Sequence, residues 1–163
     1  MKRISTLVGL VAALAMAGSA AAENGGDKKK QTFTFAFESC MGISVGTYTA
    51  TGALNEIGAV QALSGTFLND DGAPVLYSIK VLRLTDGDIF LHQEGPITPT
   101  PTGFTVSGTW QLLGGTRAYV DIRGRGTEEI VGTPAPTTAC PASRHVTGVY
   151  VGNIKLHGED DRD

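Results

Sequence analysis

What this sequence has least of is cysteine: two residues, Cys40 and Cys140, in a chain of 163. That excludes a disulfide-dense mini-protein and any metal or iron–sulfur centre built on four thiolates. Histidine is almost as scarce, and His92, His145 and His157 show no metal-ligand spacing. On one strand, His145 and His157 would stand roughly 40 Å apart, so no metal site is expected. Basic residues are outnumbered, 13 against 16 acidic, and the one basic run is Lys28–Lys30. The balance argues against nucleic acid and against anionic membrane surfaces as partners. No nucleophile elbow, P-loop or dinucleotide fingerprint occurs, and Gly124-Arg125-Gly126 precedes no helix that could present its N-terminus to a phosphate. No cofactor is implied. Long apolar runs are missing after the first 22 residues, and so is any amphipathic helix of useful length.

The start of the chain is expected to be a signal peptide, residues 1–22. Lys2 and Arg3 form its charged end, Leu7–Ala17 is an apolar stretch too short to span a bilayer, and Ala20-Ala21-Ala22 suits cleavage. Its removal leaves 11 basic against 16 acidic residues, a formal charge of −5. The expectation is an exported chain, periplasmic or extracellular, without stable membrane insertion. A polar leader, residues 23–30, precedes one domain over 31–157, and an acidic tail, 158–163, closes the chain.

The domain reads as strands. In the stretch 103–132, Phe104, Val106, Gly108, Trp110 and Leu112 alternate with Thr105, Ser107, Thr109 and Gln111, the period of a half-buried strand. Gly114-Gly115 breaks it, Thr116 can cap the compact turn that follows, and Tyr119 is expected to pin that turn onto the barrel end. Strand character resumes at Thr127–Val131. The run GTWQLLGGTRAYVDIRGRG resembles the GGTG-x-[FY]-x-x-x-x-G-x-G signature of the allene oxide cyclase/dirigent-like barrel superfamily. The matching positions are Gly114, Gly115, Thr116, Tyr119, Gly124 and Gly126, and Arg117 stands where that signature has glycine. The resemblance implies a small closed β-barrel with an interior pocket for an apolar molecule, and a possible homotrimer. The plant cyclases use a first-strand glutamate. Glu38 also lies in a first strand, but its neighbours do not match their motif, so the role is not carried over.

The remaining strands are expected at Gln31–Ser39, about Ile43–Thr51, about Gly58–Leu68, Val75–Thr85, Asp88–Gln93 and His145–His157. The turns between them include Asn69–Gly72 and Asp86-Gly87. Gly95–Thr102 and Gly132–Arg144 are expected to be Pro-rich loops. Eight strands and 22 glycines suit an all-β, closed, antiparallel eight-stranded barrel, which leaves no sheet edge exposed. A lipocalin-like barrel is the nearest alternative and a β-sandwich the next. In such a barrel the first and last strands are antiparallel neighbours. The end of the first then lies beside the start of the last, which brings Cys40 to Cys140. A disulfide closing about a hundred residues contributes on the order of 4–5 kcal/mol.

Two sets of side chains are candidates for function. Glu38 and Glu129 are weak candidates for acid–base work. Glu128 and Glu129 are adjacent in one strand, so pleating must turn one inward, where burial would raise its pKa. The aromatics Phe33, Phe35, Phe37, Tyr48, Phe104, Trp110 and Tyr150 could line a cavity for a small hydrophobic ligand or simply fill the core. Three readings stay open: a carrier of a small hydrophobic molecule, a cyclase or isomerase acting on an apolar substrate, and a non-catalytic extracellular interaction module. A cavity with a buried carboxylate favours the enzyme, and an apolar cavity the carrier. A filled barrel with an apolar outer patch favours the module.

Overall fold

The computed structural model describes residues 31–41, 43–136, 138, 140 and 144–156. The expected signal peptide, leader, acidic tail and His157 lie outside the described residues. Eight strands follow in order: β1 (Gln31–Cys40), β2 (Ile43–Gly52), β3 (Glu56–Leu68), β4 (Pro74–Leu84), β5 (Gly87–Thr100), β6 (Gly103–Gly115), β7 (Arg123–Pro136) and β8 (Arg144–Lys155). Each pairs antiparallel with the next, and β8 pairs back onto β1, from Gln31↔Ile154 to Cys40↔His145. The sheet closes on itself as an eight-stranded barrel, so no strand edge is left to pair with another chain.

Alternation fills the inside. Phe33, Phe35 and Phe37 of β1 point inward with Tyr48 and Ala50 of β2, Leu76 and Leu82 of β4, and Ile89 and Leu91 of β5. Phe104, Val106, Trp110 and Leu112 of β6, Ile130 of β7, and Tyr150 and Ile154 of β8 complete the core. The disulfide Cys40–Cys140 is present, with a Cα–Cα distance of 5.6 Å across 100 residues of sequence. It ties the seam where β8 meets β1, and it defines one end of the barrel. The other end carries the start of β1, the end of β8 and a 3-10 turn, Arg117–Tyr119.

That turn follows expectation at Gly114 and Tyr119 but not at Thr116, whose side chain makes no capping bond to it and reaches β5 instead. Gly114 adopts φ 127°, Thr116 Oγ1 accepts from the Asp88 amide at 2.9 Å, and Tyr119 is buried. Arg117 has φ 51°, the one positive φ outside glycine among the described residues. The position therefore still demands the backbone that glycine adopts most easily.

The loops differ from expectation. The segment Gly95–Thr102 is not a loop: β5 runs on to Thr100, with Pro96 opposite Val75 and Pro99 opposite Phe104. The β5–β6 register is unchanged from Glu94↔Thr109 to Ile97↔Val106, on either side of Pro96, which has no N–H to donate, and the ladder's register shift falls instead between Phe90 and Leu91. Likewise β7 spans Arg123–Pro136, which absorbs Gly124-Arg125-Gly126 and the first part of the second Pro-rich stretch.

Candidate functional site

The seven aromatic candidates are all inside the barrel, each 5 % exposed or less. Six of them, all but Phe104, pack on one another. Phe35 lies 5.3 Å from both Tyr48 and Tyr150 by ring centroid, Phe37 lies 5.5 Å from Tyr150, and Phe33 meets Trp110 edge-on at 5.8 Å. A cavity borders them toward the disulfide end, lined by Phe37, Ser39, Met41, Lys80, Gln93 and Phe104 among others. Its volume is about 10 Å³, room for one water molecule.

The two carboxylate candidates stand outside. Glu38 is exposed, with Oε1 2.7 Å from His145 Nε2, and Glu129 is exposed and accepts from Ser107 Oγ at 2.7 Å. The inward member of the Glu128–Glu129 pair is Glu128, 1 % exposed, because it shares the pleat face of Ile130. Periodicity with Ile130 was the signal for this in the sequence.

Around Glu128 the barrel holds a polar cluster that the sequence did not single out. Lys80 of β4 is 3 % exposed. Its Nζ donates to Ser78 Oγ at 3.2 Å and Gln93 Oε1 at 3.0 Å, and sits 4.5 Å from the Phe37 ring centroid. The Tyr150 hydroxyl donates to the same Gln93 oxygen. Tyr150 is also the cross-strand partner of Glu128, so its hydroxyl lies between Gln93 and that carboxyl. Neither carboxylate oxygen of Glu128 has a hydrogen-bond partner, and neither has Gln93 Nε2. Gly108 makes the space: a Cβ there would stand 2.8 Å from Glu128 Oε1.

Burial pushes the Glu128 carboxyl up to about 7, against the pull of Lys80 and of the Tyr150 hydroxyl. Burial likewise pulls the Lys80 ammonium down to about 7, against Glu128. The result is a buried acid and a buried amine, both titrating near neutrality, which is suitable chemistry for proton transfer. It stands in a core with room for one water. Among the described residues no group of three or more His, Cys, Asp or Glu side chains could hold a metal ion.

Outside, the wall formed by β2–β4 carries an apolar patch among Thr47, Thr49, Gln61 and Arg83. Val45, Leu63, Phe67, Tyr77 and Ile79 are between 40 % and 71 % exposed. Leu63 is the cross-strand partner of Ile79, Tyr77 lies over Gly65, and the Phe67 and Tyr77 rings are 6.1 Å apart. Further exposed valines, Val131, Val149 and Val151, lie on β7 and β8 among threonines. The outer face of β5–β8, toward the end opposite the disulfide, is instead concave and lined by charged and polar side chains together with Trp110, Leu112 and Ile154.

Fold and site together define a closed, disulfide-tied, eight-stranded antiparallel barrel with a filled core. Compared with known protein families, with curated proteins and with solved structures, the chain finds no match. No helix among the described residues is long and apolar enough to cross a membrane.

Proposed function

We propose that the protein is an exported, non-catalytic interaction module of the allene oxide cyclase/dirigent-like barrel type, docking another protein through the apolar wall of β2–β4. The observation that carries this reading is the pairing of a filled interior with that wall. A ligand of a few hundred daltons needs a pocket of several hundred Å³, and the core cavity measures about 10 Å³. Single exposed apolar side chains are ordinary on a protein surface, whereas a contiguous set of them marks an interface. Closure of the barrel rules out strand addition at an edge, so docking must run through side chains. The partner this wall fits is a face as apolar as itself, and a second copy of the chain carries one.

Sedimentation equilibrium of the mature, oxidised protein tests this. Self-association in the micromolar range that Leu63→Lys/Ile79→Lys abolishes, with the melting temperature of the monomer unchanged, supports the reading. A monomer at all accessible concentrations removes the second copy as partner. A co-purifying small molecule seen in native mass spectrometry restores the carrier in its place.

The buried Lys80–Glu128 cluster favours a second reading, acid–base catalysis on a small substrate reaching the core from the disulfide end. It requires Met41 and Phe37 to move, and turnover lost in Glu128→Gln would be its signature.

A further inference from the structure

The polar outer face of β5–β8 has a geometry of its own. We propose that it is a binding groove for an acidic polysaccharide, a surface separate from the apolar wall and opposite to it in character. The concavity has a volume of about 1220 Å³. Its position follows from the core beneath it. Trp110 lies inward next to the glycine pair Gly126↔Gly152 of β7 and β8, and its Nε1 is 3.0 Å from the Thr127 carbonyl oxygen and 3.3 Å from that of Val151. A Cβ on Gly126 would stand 2.0 Å from the Val151 carbonyl oxygen and 2.8 Å from the indole nitrogen. Only glycine allows the strands and the indole to approach this closely, so the groove floor is pinned from inside.

On that floor the register lines up polar side chains across four strands. His92 pairs with Gln111, Gln111 with Arg125, and Arg125 with Asn153. The neighbouring row pairs Arg123 with Lys155. Arg123, Arg125 and Lys155 thus gather three cations, and Glu94 is the one acidic residue lining the groove. Arg125 and Lys155 have no hydrogen-bond or ion-pair partner among the described residues. The chain as a whole carries a formal charge of −3, so this is a local reversal of sign. At physiological ionic strength such a field acts over about 8 Å and selects a ligand that enters the groove.

The chemistry of the lining narrows the ligand. The apolar residues of the lining, Trp110, Leu112 and Ile154, are themselves buried, and the side chains exposed on the floor are charged or polar, with Leu113 and Val151 beside them. One hydrogen-bonding side chain recurs per strand, at the roughly 4.8 Å spacing of neighbouring strands, comparable to the advance of one ring along an extended sugar chain. Amides and hydroxyls suit a chain rich in hydroxyl groups, and cations along one edge suit periodic carboxylates or sulfates. Arg in particular grips either group with two parallel bonds.

The test is calorimetry of the oxidised protein against polygalacturonate, heparin, neutral dextran and polyglutamate at 50 and 200 mM salt. Binding to polygalacturonate or heparin, none to dextran, and at least tenfold weaker binding to polyglutamate is the expected result. Polygalacturonate and heparin separate carboxylate from sulfate as the preferred anion. Arg125→Glu/Lys155→Glu should weaken binding at least tenfold at an unchanged melting temperature, while Leu63→Lys/Ile79→Lys leaves it intact. Equal affinity for polyglutamate would reduce the groove to bare charge and overturn the proposal. No binding to either acidic polysaccharide, or binding untouched by the double reversal, would overturn it as well.

Discussion

The two walls of this barrel are made by the same rule and end up opposite. In both, alternate residues turn outward. On β2–β4 those residues include Val45, Leu63, Phe67, Tyr77 and Ile79 beside Thr47, Gln61 and Arg83, and on β5–β8 they include His92, Gln111, Arg125, Asn153 and Lys155. The inner faces of the two walls meet in the core, where β4 contributes Lys80 and β7 contributes Glu128. A closed sheet has no edge through which to bind, so a filled barrel can interact only by dividing its outer circumference.

The largest expected effect breaks the frame that keeps the walls apart. Replacing both cysteines, Cys40→Ala/Cys140→Ala, unties the β1–β8 seam and should cost about 2–5 kcal/mol, read by urea denaturation against the oxidised protein. Loss of less than 1 kcal/mol would mean that the barrel closes without its staple.

The next joins the walls in the core. The double variant Lys80→Met/Glu128→Leu replaces a buried, incompletely bonded charge cluster by apolar side chains, and should stabilise by about 1–4 kcal/mol. The wild-type cluster also imposes a pH profile. Glu128 titrates higher in the folded chain than in the unfolded, so the stability it confers is full below pH 4.5 and is lost as pH rises through about 7. Lys80 titrates lower when folded, so its contribution is full above pH 10.5 and is lost as pH falls through about 7. Together they place the least favourable contribution near neutrality. Denaturation across pH 5–9 should show a local dip near pH 7 that the double variant lacks. A difference between the two proteins that stays flat with pH would refute this assignment.

Sharpening the contrast needs only surface changes. Leu63→Lys/Ile79→Lys should abolish self-association and spare polysaccharide binding, and Arg125→Glu/Lys155→Glu should do the reverse. Cross-talk of more than threefold in either direction would show that the walls are not independent. The smallest effect is at the end opposite the disulfide: Arg117→Gly relieves a left-handed residue that costs about 1–2 kcal/mol but adds unfolded-state freedom worth about 0.5–1 kcal/mol. A net gain below about 1 kcal/mol is expected in a thermal melt.

Most of the architecture was legible in the residues. Alternation in β1 and β6, the Asp86-Gly87 turn and the Gly114-Gly115 break set the order of the strands. An even-stranded closed barrel then placed Cys40 beside Cys140, because it makes the first and last strands neighbours. The prolines misled in β5, since a missing N–H removes one donor and leaves the register on either side of Pro96 unchanged. Lys80 was illegible for a different reason. Val75–Leu84 is largely apolar on both faces, with Val75, Ile79 and Val81 on one and Leu76 and Leu82 on the other. Periodicity therefore could not say which way the lysine points.

By itself, then, the chain determined period, strand count, turns and closure, because these depend on each residue and its near neighbours. Only the tertiary structure decided that the aromatics fill the barrel, that Glu128 faces Lys80, and that Arg123, Arg125 and Lys155 gather on one dished wall. Those outcomes depend on lateral register across strands far apart in sequence. Bulges, the Gly126–Gly152 approach and the packing of Trp110 set that register, and none of them is expressed within a single strand.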